Sequence, residues 1–254
     1  MKPVLLELGG LQIQSYGISK ALAVLAAGWL LKRELARRGH NPQWAFSFAL
    51  AGAIGGFAGA KLYYLAEVAG GGLSPHDFGG SGFTWYGGLI GGALAVLVIA
   101  RRRRIALGEI AAMTAIPLAV AYGIGRLGCL LAGDGTYGAP TDLPWAMRFP
   151  EGTVPTTDLV HPAPLYEALA SFVIAAALWW LRDRVRPVAL FGASAVFMGA
   201  SRFLVEIIRI NDTVAIGLTA AQLWSLALIG LGTAVLIRDR LMNRQPTHAV
   251  TQPA

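Results

Sequence analysis

Three arginines, two glutamates and a histidine stand in or beside apolar stretches of this 254-residue chain, where charge is costly. Arg126 lies in Gly125-Arg126-Leu127-Gly128-Cys129, a run that continues through Asp134 to Gly138 and holds five glycines. An ionised side chain at membrane depth costs about 3 kcal/mol or more unless it is paired or hydrated, so such residues mark functional cavities by default. Glycines let the backbone leave helical geometry and come close to a ligand. Together they point to a polar, anion-binding cavity.

Arg202, Glu206 and Arg209 are spaced i, i+4 and i+7, which predicts a shared helix face. A carboxylate there would hold the guanidinium in one orientation, and the planar, always-charged fork of arginine suits phosphate. The plainer alternative is a structural ion pair with Arg209 reaching to the interface. His161-Pro162-Ala163-Pro164-Leu165-Tyr166-Glu167 opens a further apolar run. Pro164 is acceptable in a first helical turn, and Glu167 would lie near the positive end of the helix. His161 could be a hydrogen-bonded structural residue or the base that takes a proton from a nucleophile. Tyr86, in the segment Thr84 to Gly92, reads first as an aromatic-belt anchor beside small packing residues. Gly52, Gly55, Gly56 and Gly59 read as helix-packing glycines too. The single cysteine, Cys129, excludes an internal disulfide and a cysteine-based metal site. His161 and Asp134 are too sparse a set for a metal, so neither metal nor cofactor is expected.

The elements that must position these residues are membrane spans. The chain is 55% hydrophobic and 14% charged, with mean hydropathy +0.56, against about 25% charged for a soluble domain. Seven runs approach the roughly 20 residues a span needs, near 12–31, 44–66, 83–100, 106–126, 164–181, 188–208 and 217–237. Fourteen of the 21 lysines and arginines fall in the connections after spans one, three, five and seven. The positive-inside rule makes those connections cytoplasmic, with the N-terminus outside and the C-terminus inside. The same rule explains Arg101–Arg104 without nucleic acid, and no nucleic-acid partner is expected. Only Lys2 precedes the first apolar run, so no cleavable leader is expected.

The expected fold is therefore all-α: one seven-helix membrane domain over 1–240, with outer-side loops near 67–83 and 132–163 and a short cytoplasmic tail at 241–254. The 132–163 connection, with its prolines and glycines, predicts turns rather than helix. No internal repeat of the kind common in transporters is visible. In this topology Tyr16, Tyr86, Arg126, His161, Arg202 and Glu206 all fall towards the outer leaflet, and the polar cavity is expected there.

Those segments, in this order, together with Gly217-x4-Gln222-x2-Ser225, resemble the prolipoprotein diacylglyceryl transferase family over about residues 10–238. The resemblance implies a multi-pass enzyme of the bacterial inner membrane. It would move the diacylglyceryl group of phosphatidylglycerol to the lipobox cysteine thiol of a prolipoprotein signal peptide. It maps the family's two essential arginines to Arg126 and Arg202, with His161 and Tyr86 as the other catalytic candidates. Tyr16, Asp134, Gly138, Tyr166, Glu167 and Glu206 become substrate-binding candidates. Three positions differ from the family pattern: Tyr86 stands for histidine, Cys129 for asparagine and Asp134 for glutamate. Two alternatives stay open on the residues alone: a transferase with the same donor and another acceptor, and a non-enzymatic transporter of lipid or anionic solute.

Overall fold

The computed structural model describes residues 3–8, 11–79 and 84–243. Its described residues form seven α-helices: α1 Ser15–Arg37, α2 Trp44–Val68, α3 Trp85–Arg102, α4 Leu107–Ala132, α5 Ala163–Leu181, α6 Pro187–Glu206 and α7 Ala220–Asn243. Every apolar run became a helix, the structure that satisfies all of a segment's backbone groups internally when no water is at hand. Five of them, α2, α4, α5, α6 and α7, are long and apolar enough to cross a membrane. The two others fall short for compositional reasons. α1 carries Lys20, Lys32, Arg33 and Glu34, and α3 has only 18 residues and ends on Arg101-Arg102.

Three short antiparallel hairpins cap helix ends: β1 Val4–Leu8 with β2 Leu11–Gln14, β3 Met147–Phe149 with β4 Thr156–Val160, and β5 Thr213–Ala215 with β6 Leu218–Thr219. Two expected span boundaries move as a result. The first helix starts at Ser15 rather than 12, because β2 takes the preceding residues. The last starts at Ala220 rather than 217, because Ile216 and Gly217 hold a left-handed turn (φ +47° and +74°) between β5 and β6. The connection between Ala132 and Ala163 is non-helical and rich in turns, as its composition predicts, and it also holds the β3–β4 hairpin. In the 67–83 connection, the Asp77 carboxylate accepts from Ser74 N–H at 2.8 Å and from Tyr64 O–H at 2.9 Å, shaping a 3₁₀ turn over Pro75–Phe78.

Contacts group the chain into two compact units, Ala21–Ala121 and Met1–Lys20 with Tyr122–Ala254. In the first, α2 and α3 touch backbone to backbone. A Cβ added at Gly55 would lie 2.6 Å from the Gly91 carbonyl oxygen, and one at Gly59 would lie 2.8 Å from Gly91 Cα. The glycines of span two are packing residues, as their spacing predicts. One end of this unit holds an apolar cluster including Leu35, Phe48, Ile110 and Met113. His40 Nε2 meets Glu109 there at 3.0 Å, and the Arg103 guanidinium lies 4.8 Å from the Trp44 ring centre. The basic connections 38–43 and 103–106 therefore share that end. In the second unit α6 and α7 pack the same way through Gly192, Gly199 and Gly232. Arg186 pairs with Asp239 at 2.7 Å, joining the α5–α6 connection to the end of α7.

Candidate functional site

The site lies within the second unit, at the end of α4 and at the ends of α5 and α6 opposite Arg182–Arg186. A short backbone ladder gathers its segments. Gly138 N–H donates to the His161 carbonyl at 2.8 Å, and His161 N–H returns a bond to Ala139 at 3.0 Å. On its other side, Ala139 N–H donates to the Ile208 carbonyl at 2.8 Å, and Gly138 bridges Arg209. The extended segment 138–141 thus lies between 159–161 and 208–209. Only glycine fits at 138, since a Cβ there would stand 2.5 Å from the Ile208 oxygen and 3.0 Å from His161 Cβ.

Below this ladder, two carboxylates gather three arginines. Glu167, on the second turn of α5, is 1% exposed. Its oxygens lie 3.0 Å from Arg126 Nε, 3.5 Å from Arg202 Nε and 3.8 Å from Arg209 Nη1. Glu206, at the end of α6, is 2% exposed and lies 2.6 Å from Arg202 Nη1 and 3.6 Å from Arg209 Nε. Side-chain donors complete the carboxylates. Tyr122 O–H donates to Glu167 at 2.8 Å, while Asn211 Nδ2 and Thr219 O–H each donate to Glu206 at 2.8 Å. Tyr122 also accepts from Arg126 Nη2 at 2.9 Å, so one hydroxyl ties the arginine to its counter-charge.

Removing two carboxylates from water is expensive, and only close pairing with well-filled hydrogen bonds offsets it. The pairing is ionic rather than well-aligned hydrogen bonding, and Glu167 Oε2 and Glu206 Oε2 share this with the nitrogens opposite them. Arg126 Nε, Arg202 Nη1, and Arg209 Nε and Nη1 are buried at ion-pair distance but make no well-aligned hydrogen bond among the described residues. Burial, reinforced by Arg202 and Arg126 and opposed by Glu167, pushes the Arg209 guanidinium below its ordinary pKa. With both glutamates ionised, the cluster carries three positive charges against two negative. It has the net charge to take one more anion.

The sequence-predicted residues divide as follows. Arg126, Arg202, Glu167 and Glu206 meet in the cluster. His161 and Tyr166 form a pair beside it, with Nδ1 at 3.4 Å from the phenol oxygen, which also accepts from Trp145 Nε1 at 2.8 Å. Asp134 turns into its own loop and accepts from Thr136 O–H at 2.6 Å and Thr136 N–H at 3.2 Å. Gly138 sits in the ladder, and Tyr16 stands at the start of α1 under the Lys20 ammonium, 4.8 Å from its ring centre. Cys129 is buried, with Sγ 3.9 Å from Arg126 Nη1. The Tyr86 side chain lies outside the described residues; its backbone is the second residue of α3.

One expectation needs correction. Arg202 and Glu206 share a helix face and pair across one turn, but Arg209 does not join them there, because α6 ends at Glu206 and Arg209 enters the ladder. It reaches the carboxylates from the turn, and it is a full member of the cluster rather than an interfacial side chain. Sequence reading also missed Tyr122, whose position four residues before Arg126 on the same helix was the available signal. Asn211 and Thr219 gave no comparable signal, since a hairpin brings them to Glu206.

A family model described as prolipoprotein diacylglyceryl transferase matches residues 3–238. Among curated relatives, the phosphatidylglycerol–prolipoprotein diacylglyceryl transferase of Clostridium tetani is 34% identical over 250 residues, covering 96% of this chain and all of that protein. The enzyme of the same name from Nitratidesulfovibrio vulgaris is 35% identical, covering 94% of each chain. That from Bordetella avium is also 35% identical, covering 96% of this chain and 97% of its own.

Proposed function

The chain belongs to the prolipoprotein diacylglyceryl transferase family, and from that premise we propose that it transfers diacylglyceryl from phosphatidylglycerol to the cysteine thiol of a prolipoprotein lipobox. The observation that carries this reading is the charge of the cluster. Three arginines on two buried glutamates lack one negative charge, and a phosphodiester supplies it.

In the proposed reaction the acceptor's sulfur attacks the glycerol carbon that bears the phosphodiester. A C–S bond forms, the C–O bond breaks, and its electron pair leaves on glycerol phosphate, which gains negative charge. Arg126 and Arg202 hold that phosphate and stabilise its departure, because their charges already point at the place where charge develops. Glu167 and Glu206 hold the guanidiniums in place, and Tyr166 orients His161. With Nδ1–H donating to the Tyr166 oxygen, Nε2 keeps a free lone pair to accept the thiol proton. Gly138 keeps the ladder closed. Tyr16 and Asp134 are assigned to donor binding, and Tyr86 is a lesser candidate for the base.

The proposed setting is the bacterial inner membrane, with all seven helices spanning, the N-terminus outside and the C-terminus in the cytoplasm. Arginine–tryptophan stacks support it: Arg33 on Trp29, Arg182 on Trp179 and Arg184 on Trp180, at 3.9, 3.4 and 4.1 Å, all stand at the basic helix ends. Such pairs suit a headgroup interface. A C-terminal alkaline phosphatase fusion should be inactive, and periplasmic activity would overturn the orientation.

The decisive experiment incubates purified protein with labelled phosphatidylglycerol and a panel of lipobox, thiol and hydroxyl acceptors. Label should pass to the lipobox cysteine. Preference for a hydroxyl acceptor would establish the same donor with another acceptor. Lipid movement across vesicles without any transfer would make the protein a transporter.

A further inference from the structure

Lys20 stands against α4 beside Arg126, and neither Glu167 nor Glu206 pairs with it. It lies five residues into α1, about 7.5 Å along the axis from Ser15; Arg126 lies six residues, about 9 Å, from the end of α4 at Ala132. Two close approaches hold these turns together. A Cβ at Gly128 would stand 2.5 Å from Ser19 Cβ, and one at Gly125 would stand 3.6 Å from Lys20 Nζ. The ammonium thus lies against the α4 backbone beside the residue that precedes Arg126. Cys129, one turn further on, lies with its Sγ 3.9 Å from Arg126 Nη1.

Among the described residues no carboxylate lies within ion-pair distance of Lys20. Its neighbour is the Tyr16 ring, 4.8 Å from Nζ to the centre. A cation–π contact is worth about 1–2 kcal/mol and does not neutralise the charge. Lys20 is exposed, so its open side faces what surrounds the helix. Arg126, Arg202 and Arg209 are by contrast fixed by Glu167 and Glu206. A compact ammonium on a flexible stem accepts an anion in many orientations, whereas a clamped guanidinium accepts it in few.

We infer that Lys20, seated on Tyr16, is an entry subsite for the phosphodiester of an anionic phospholipid, which it passes to Arg126. This rests on the reading of the arginine cluster as the site of a phosphatidylglycerol-dependent transfer. Lys20 recruits and does not take part in bond breaking, so it governs donor capture and leaves the chemical step unchanged.

The test uses the purified full chain in neutral detergent, as wild type, Lys20→Gln, Lys20→Met and Lys20→Arg. Short-chain phosphatidylglycerol binding is measured by calorimetry, and KM and kcat by transfer to a lipobox peptide. Lys20→Gln and Lys20→Met should weaken binding and raise KM by about fivefold, the effect of one basic residue near an anionic headgroup, with kcat within about twofold; Lys20→Arg should restore both. Unchanged binding and KM would overturn the inference. A weaker effect of glycerol phosphate as inhibitor with unchanged phosphatidylglycerol binding would overturn it too, since Lys20 would then hold the free ester. If the wild type binds donor but transfers nothing, the functional reading fails, and the binding arm still decides the role of Lys20. Should the neutral variants not fold, acetylation of Lys20 in the wild type, read by mass spectrometry, decides it. Phosphatidylglycerol should slow that modification about fivefold, and no protection would refute the subsite.

Discussion

Replacing Glu167 by glutamine keeps the shape of the side chain and removes the charge that Arg126 depends on. Arg126 has no other carboxylate partner among the described residues, whereas Arg202 and Arg209 keep Glu206. At the observed 3.0 Å, the Arg126–Glu167 attraction is about 5.5 kcal/mol at an effective dielectric constant near 20. Desolvation opposes it, but Glu167 is only 1% exposed, so loss of one partner leaves an uncompensated buried charge costing about 3 kcal/mol or more. For a chain of this size that corresponds to a fall of about 6–12 °C in melting temperature. Activity should fall at least tenfold, about 1.4 kcal/mol of transition-state stabilisation, because a misaligned guanidinium no longer meets the phosphate. The assay is a double-mutant cycle with Arg126→Gln, read by thermal unfolding in detergent and by diacylglyceryl transfer. The double variant should be less damaged than the sum of the singles, with a coupling of about 1–3 kcal/mol. Additivity within about 0.5 kcal/mol would refute the argument that Glu167 acts by holding Arg126.

Arg126→Lys and Arg202→Lys should each lower the transfer rate at least tenfold, about 1.4 kcal/mol, by losing the planar fork, while Arg104→Lys in the basic connection should be nearly neutral. Equal tolerance of lysine at all three positions in the same assay would remove the phosphate site. Gly138→Ala should cost about 1–3 kcal/mol of stability and most of the activity, because its Cβ would stand 2.5 Å from the Ile208 oxygen and push apart the strands that carry His161 and Arg209. Near-normal turnover and melting temperature would show that the ladder does not position the site. Cys129→Ser should keep most activity, since the acceptor brings its own thiol; complete loss in a folded protein, with a lipid adduct on wild-type Cys129, would make it a nucleophile.

The helical architecture and the identity of most of the cluster were legible in the residues. Apolar runs of span length must become helices in lipid, because nothing else there satisfies the backbone. Arg126, Arg202, Glu206 and Glu167 stood out for the same reason, as charges placed where charge is expensive. The glycines of α2 and α3 likewise declared close packing by type and spacing. The hairpins were not legible: β3, β4, β5 and β6 are two to five residues long, and their pairing depends on what lies opposite them. That is why Arg209 was read onto a helix face it does not occupy. The pattern of i, i+4 and i+7 assumes the helix continues, and the ladder between Gly138 and Arg209 ends it. Residue types determined which side chains needed partners. Only the tertiary structure decided who the partners were, by bringing α4, α5 and α6 together so that Glu167 meets three arginines while, among the described residues, Lys20 meets no carboxylate. A partner is chosen by distance across the fold, and ion-pair energy falls off over a few ångströms that spacing along the chain does not encode.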